Sequence, residues 1–181
     1  MNDEIKIPLS KYKIILLFLG ALIFLSFGIW VAIDPEKFVT IVFRNTYFIR
    51  IAGIASIAFF GVCAIFIFRK LFDKKYGLII DKNGITDNSN ATSIGFVKWT
   101  DISGIRVVQE FSQKFIMIDV SNPEDYIELK KSGIGKMAMK ANYTKYGSPI
   151  SITANALKLD FAELKAIIEK QYEKNALQHN L

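Results

Sequence analysis

Two apolar runs, Ile14–Ile33 and Ile51–Phe68, contain no charged side chain and limit what this chain can fold into more than any other feature. At about 1.5 Å of rise per residue, a helix over either run approaches the roughly 30 Å of a bilayer's hydrocarbon core, the second with help from its flanks. A chain of 181 residues has too little other sequence to cover two such cylinders with protein. The sequence therefore predicts a membrane-spanning helical hairpin over residues 1–75, with helices at about 14–33 and 48–68. A water-soluble domain over 76–175 and a tail over 176–181 follow it.

Lys6, Lys11 and Lys13 precede the first run, as in a secretory signal. The run is longer than the apolar core of about 7–15 residues in such signals, and no small-x-small cleavage site follows it. Tyr12, Trp30 and Tyr47 stand near the run ends, where amphipathic rings suit the headgroup layer. Asp34 to Tyr47 form a short loop, and Pro35, which lacks an N–H, helps to end the first helix. Basic residues crowd the outer flanks: the three lysines in front, then Arg69, Lys70, Lys74 and Lys75. That bias predicts both termini on the cytoplasmic side of an inner membrane, although Arg44 and Arg50 lie between the runs. Arg50 can snorkel to the outer headgroups. Ala52, Gly53, Ser56 and Gly61 permit close helix packing, with Ala52 and Ser56 at small-xxx-small spacing. Gly20 and Gly28 offer matching hollows, and the same faces suit a homodimer. No ionisable group sits at mid-membrane, so no ion pathway is expected.

From about Tyr76 the pattern changes to short alternating segments separated by turn residues, the mark of a small β-rich domain. Gly77–Asp81 and Ile85–Asn88 flank Lys82-Asn83-Gly84, and Asn-Gly is a strong hairpin signal because both residues tolerate positive φ. Ile94–Thr100, Ile102–Glu110, Phe115–Val120 and the alternation Ile150, Ile152, Ala154 supply further strands, about six in all with room for a seventh. Asp160 and Glu163 make a capping box, after which Phe161, Leu164, Ile167, Ile168 and Tyr172 share one helical face. Between the last two strands lies an insertion over 122–147. Its first helix starts at Asn122-Pro123, favoured by Glu124, Asp125 and Glu128 near the positive end of the dipole. Gly133 and Gly135 are expected to interrupt that helix, and Ile134, Met137, Ala138 and Ala141 to share one side of a second.

Three segments carry a family likeness: Gly77-Leu-Ile-Ile-Asp-Lys-Asn-Gly84, Val97-Lys-Trp-Thr-Asp-Ile102, and the strand–helix pair from Ile150 to Tyr172. In this order they resemble the bacterial pleckstrin-homology-like domains. With the hairpin in front, the chain is similar to small two-pass bacterial membrane proteins. That likeness extends to Asn122-Pro-Glu-Asp-Tyr126, Lys140-Ala-Asn-Tyr143 and Tyr146-Gly-Ser-Pro-Ile150 of the insertion. The resemblance implies an α+β membrane protein: a two-helix hairpin, then a β-barrel or bent sheet closed by a C-terminal amphipathic helix. It brings no catalytic residue with it.

The residues themselves suggest no enzyme. His179 is the sole histidine and lies in a polar tail. Cys63 is the sole cysteine and falls inside the second apolar run, where it acts as a small hydrophobe. No Cys/His spacing for zinc, no phosphate-binding glycine loop and no cofactor motif is present in the sequence. Asp101 reads as a turn residue at a strand junction rather than an acid.

Charge is more informative. Lys130, Lys131, Lys136, Lys140 and Lys145 fall within sixteen residues that contain no Asp or Glu. The rest of the domain from Tyr76 on has eight basic and twelve acidic residues, so the insertion is a basic patch on an acidic module. Beside an anionic leaflet each such lysine adds about 1 kcal/mol of attraction, and Ile134, Met137, Met139 and Tyr143 supply apolar groups that suit an interface. On a solvated surface helix the same lysines simply confer solubility. The patch is too short, and its aromatics too irregular, for nucleic acid. The expectation is a non-enzymatic module, without cofactor, engaging anionic lipid headgroups or a protein partner at the inner face of the membrane. Size and topology also admit an immunity-type protein against a membrane-directed toxin, or an accessory subunit of a larger membrane complex.

Overall fold

The computed structural model describes residues 4–40, 44–90, 93–130 and 133–179. The chain forms two compact units. Lys11–Lys74 make one, and Met1–Ser10 with Lys75–Leu181 make the other. The expected division is a hairpin over 1–75 and a domain over 76–175. The described residues before the first helix group with the domain, Ile5–Ile7 pairing with Leu78–Ile80.

In the helical unit, α1 (Lys11–Ile33) and α2 (Thr46–Leu71) are long and apolar enough to cross a membrane. A 3₁₀ turn over Pro35–Phe38 follows α1. Asn45 opens α2 by accepting the Tyr47 N–H at 2.9 Å, satisfying a donor the first turn leaves free. The buried positions of α1 include Ile14, Ala21 and Gly28, a seven-residue repeat suited to a left-handed helix pair. A Cβ on Gly53 would stand 2.7 Å from the Ala32 nitrogen, and one on Gly28 would stand 2.8 Å from Ser56 Oγ. The close face of α2 is therefore Gly53 with Ser56, whereas Ala52 is exposed. Gly20 has open space around it, and Gly61 meets only Leu25 Cδ1 at 4.0 Å. Lys11 Nζ donates to the Leu71 and Asp73 carbonyls at 2.6 and 2.7 Å, a cation on the negative end of α2.

Among the described residues of the domain unit, seven strands lie in two antiparallel sheets. The first sheet runs in the order β1 (Ile5–Ile7), β2 (Leu78–Ile80), β3 (Gly84–Asp87), β4 (Gly95–Lys98). A 3₁₀ turn at Trp99–Asp101 leads into the second sheet, β5 (Ile102–Glu110), β6 (Gln113–Val120), β7 (Ile150–Ile152). β1 is the strand for which the sequence leaves room without locating it. Lys6 pairs with Ile79 and Ile7 with Leu78, so the segment before α1 and the segment after α2 share one ladder. Leu78, Ile80, Ile85, Ile116, Ile118 and Ile152 are fully buried, and α5 (Phe161–His179) packs Leu164 and Ile168 onto this core. Its capping box is complete: Glu163 N–H donates to Asp160 Oδ1 at 2.8 Å and Asp160 N–H to Glu163 Oε2 at 2.9 Å. The helix runs on to His179, into the stretch expected as a tail, while residues 180–181 and the side chain of His179 lie outside the described set.

Two expectations change here. Among the described residues the sheets are linked by an isolated bridge between Leu9 and Leu157, so the architecture is two packed sheets rather than a closed barrel. The β2–β3 hairpin forms at Asn83-Gly84, but neither residue has positive φ. Asp81 Oδ1 instead accepts the N–H groups of Asn83 and Gly84 at 2.7 and 3.1 Å. Glycine is required at 84 for a different reason: a Cβ there would run into the Val97 carbonyl oxygen on the neighbouring strand.

The two places where this unit's chain departs, Ser10 and Lys75, adjoin one end of the domain. Gly77 N–H donates to the Ile7 carbonyl at 2.8 Å and Ser10 N–H to the Ala156 carbonyl at 2.8 Å. Asn155, next along from Ala156, donates from Nδ2 to Gln113 Oε1 at 3.0 Å, on the first residue of β6.

Candidate functional site

The insertion folds as α3 (Pro123–Leu129) and α4 (Ile134–Tyr146) between β6 and β7. Proline fits the first turn of α3 because its missing N–H would have no helical partner there, and Glu124 and Asp125 favour the positive end. Tyr126 fastens this helix to the core. Its hydroxyl donates to Asp101 Oδ2 at 2.7 Å and accepts the Lys98 N–H at 3.3 Å. Burial first, and the Asp101 carboxylate second, push the phenol up to about 12. Asp101, read in the sequence as a turn residue, is thus the acceptor that positions the insertion.

Gly133 begins α4 at φ 92° and Gly147 ends it at φ 76°, a left-handed position that suits glycine. Between them one face of α4 is committed to the domain. Met139 is buried, Asn142 Nδ2 donates to Ser151 Oγ at 3.1 Å, and Tyr143 hydroxyl donates to Glu124 Oε1 at 2.9 Å. The Tyr146 ring meets Phe115 at 5.5 Å, its hydroxyl donates to Glu110, and its carbonyl accepts from Arg106, which is held by Asp119 at 2.8 Å.

The expected stripe of Ile134, Met137, Ala138 and Ala141 does not face the core. Ile134 is 54 % exposed and Met137 72 %, and Leu129 at the end of α3 is 67 % exposed. A helical period allows either stripe. The two tyrosine rings and Met139 have far more surface to bury than Ala138 and Ala141, and they take the inward face. Met139 and Tyr143, expected as interface groups, are on that inward side.

The five candidate lysines separate into groups. Lys136 pairs with Glu128 at 2.6 Å and Lys145 with Glu110, so acids outside the basic run answer two of its charges. The Lys136 hydrogen bond holds the Glu128 carboxyl below the usual carboxylate range; Lys145, then Tyr146, does the same for Glu110, and Glu110 in turn raises Lys145. Lys140 is exposed and Lys130 half-buried, and neither makes an ion pair among the described residues. Lys131 lies outside the described residues. The result is exposed Leu129, Ile134 and Met137 along α3 and α4, with Lys130 and Lys140 near them in the chain.

Sequence reasoning passed over Leu129, whose position at a helix end gave no period to read, and Phe111, an aromatic in a turn. No group of three or more His, Cys, Asp and Glu side chains suited to a metal ion occurs among the described residues. Comparison with family models, with curated proteins and with solved structures finds no match to this chain.

Proposed function

We propose that this protein is a non-enzymatic binding module anchored in the bacterial inner membrane. In this reading α1 and α2 span the bilayer, both termini are cytoplasmic, and a pleckstrin-homology-like domain presents the outward face of α3 and α4 to a protein partner. Three features support it. The outer flanks of the helices are rich in Lys and Arg. The segments before α1 and after α2 share one β-ladder, an arrangement that two membrane crossings allow. Strands divided four and three between two sheets, followed by a packed helix, suit the pleckstrin-homology-like arrangement.

The observation that carries the reading is the exposure of Leu129, Ile134 and Met137 on a helix pair whose other side is pinned to the core. Burying each such side chain against a partner contributes about 1.5–3 kcal/mol before the cost of association.

Photo-crosslinking from position 137 of the full chain in native membranes tests this. The expected result is a protein adduct of one discrete mass that disappears with Ile134→Asp or Lys140→Glu. Adducts with lipid alone, or a protein adduct indifferent to both substitutions, would contradict it.

A further inference from the structure

Glu110 pairs with Gln113, so β5 and β6 are joined by a two-residue turn, Phe111-Ser112. Phe111 stands at φ 51°, the left-handed region where turns of this kind ordinarily place glycine or asparagine. Its side chain is 93 % exposed, the most exposed large hydrophobic among the described residues. A bulky aromatic in strained backbone, held fully in water, is unfavourable twice over, and such strain persists only where the surroundings enforce it. They do so here. Gln109 Nε2 donates to the Phe111 carbonyl at 3.2 Å, Asn155 holds Gln113 at 3.0 Å, and Glu110 is fixed by Lys145 and Tyr146. The turn is a rigid mount for one ring.

The position of that mount is the second observation. Gln113 is tied to Asn155, and the adjoining Ala156 carbonyl accepts the N–H of Ser10, the last residue before α1. The turn that carries Phe111 therefore stands at the end of the domain that holds Ser10. Two exposed lysines attend the same end: Lys114, paired across the ladder with Gln109, and Lys158, whose N–H donates to the Pro8 carbonyl at 2.9 Å. The acid nearest the turn, Glu110, is already paired.

We propose that Phe111 is a membrane-contact residue, seated in the headgroup–acyl boundary of the bilayer that holds α1 and α2, with Lys114 and Lys158 against anionic headgroups. An aromatic inserted among headgroups with lysines beside it is the ordinary chemistry of an interfacial anchor. The inference rests on the reading that α1 and α2 span the membrane, and its test separates the two.

In a Cys63→Ala background, nitroxide labels are placed singly at Phe111→Cys, Phe59→Cys and Met137→Cys of the full chain. The protein is reconstituted in vesicles with and without anionic lipid. Collision with oxygen and with a water-soluble nickel chelate gives the depth of each label. The label at 59, midway along α2, is expected to meet oxygen and exclude nickel. At 111, nickel access should be several-fold below that at 137, and lower still with anionic lipid. Equal nickel access at 111 and 137, with 59 protected, would overturn the proposal alone. So would spin–spin broadening at 111 that disappears on dilution with unlabelled protein, since a second copy would then cover the ring. Nickel access at 59 would overturn the membrane reading and this proposal with it.

Discussion

Tyr126 shows how much one side chain can decide. Its ring is buried and its hydroxyl bridges Asp101 and Lys98, so the phenol is pushed from 10.0 up to about 12. The folded value lies above the unfolded one, so this group's contribution to stability is complete below about pH 10 and is lost as pH rises through about 12. Absorbance titration should show one late-ionising phenol that Tyr126→Phe lacks. That variant should also lose about 1–2 kcal/mol at neutral pH in chemical denaturation, the value of a hydrogen bond to a charged group partly open to water. An unchanged titration curve would remove Tyr126 from this role. None of this is legible in the sequence, because the bond joins residues 25 positions apart and depends on burial. Gly84 is a related case. Asn83-Gly84 marks the hairpin correctly, yet the glycine is there for the Val97 carbonyl, a cross-strand neighbour that local turn rules do not see.

Elements governed by neighbours in sequence were readable. The Asp160–Glu163 capping box forms as its spacing predicts, and the stripe from Phe161 to Tyr172 meets the core. The strand alternation of Ile150 and Ile152 is equally local. By contrast, α4 carries two plausible stripes, and only the docking of Tyr143 and Tyr146 against Glu124 and Phe115 chooses between them. The pairing within the five-lysine run is likewise set from outside it, since Glu128 and Glu110 reach two of its members. The choice of stripe has a direct test in stability. Met139→Ala should cost about 2–5 kcal/mol in chemical denaturation, as a fully buried methionine does. Met137→Ala, two residues away, should stay within about 0.5 kcal/mol. Comparable losses at both positions would mean that α4 is rotated from the orientation described.

At the scale of the whole molecule, the domain is built from both sides of the helical pair. Its first sheet begins with Ile5–Ile7, leaves the unit through α1 and α2, and resumes at Leu78. A soluble fragment cut at Tyr76, the boundary suggested by composition, would lack that edge strand together with the buried Ile7 and Leu9. Three strand residues with one lysine among them carry almost no periodic signal, and their partners stand more than seventy positions away. The pairing also gives the most direct test. Lys6 and Ile79 are cross-strand partners, and antiparallel Cα separations of about 4.5–5.5 Å lie within the range a disulfide spans. With Cys63→Ala, the double variant Lys6→Cys, Ile79→Cys should form an intramolecular disulfide rapidly under mild oxidation in intact membranes, seen as a mobility shift reversed by reductant. Failure to form it, with both thiols open to reagents from opposite sides of sealed vesicles, would contradict a single domain interrupted by its helical hairpin.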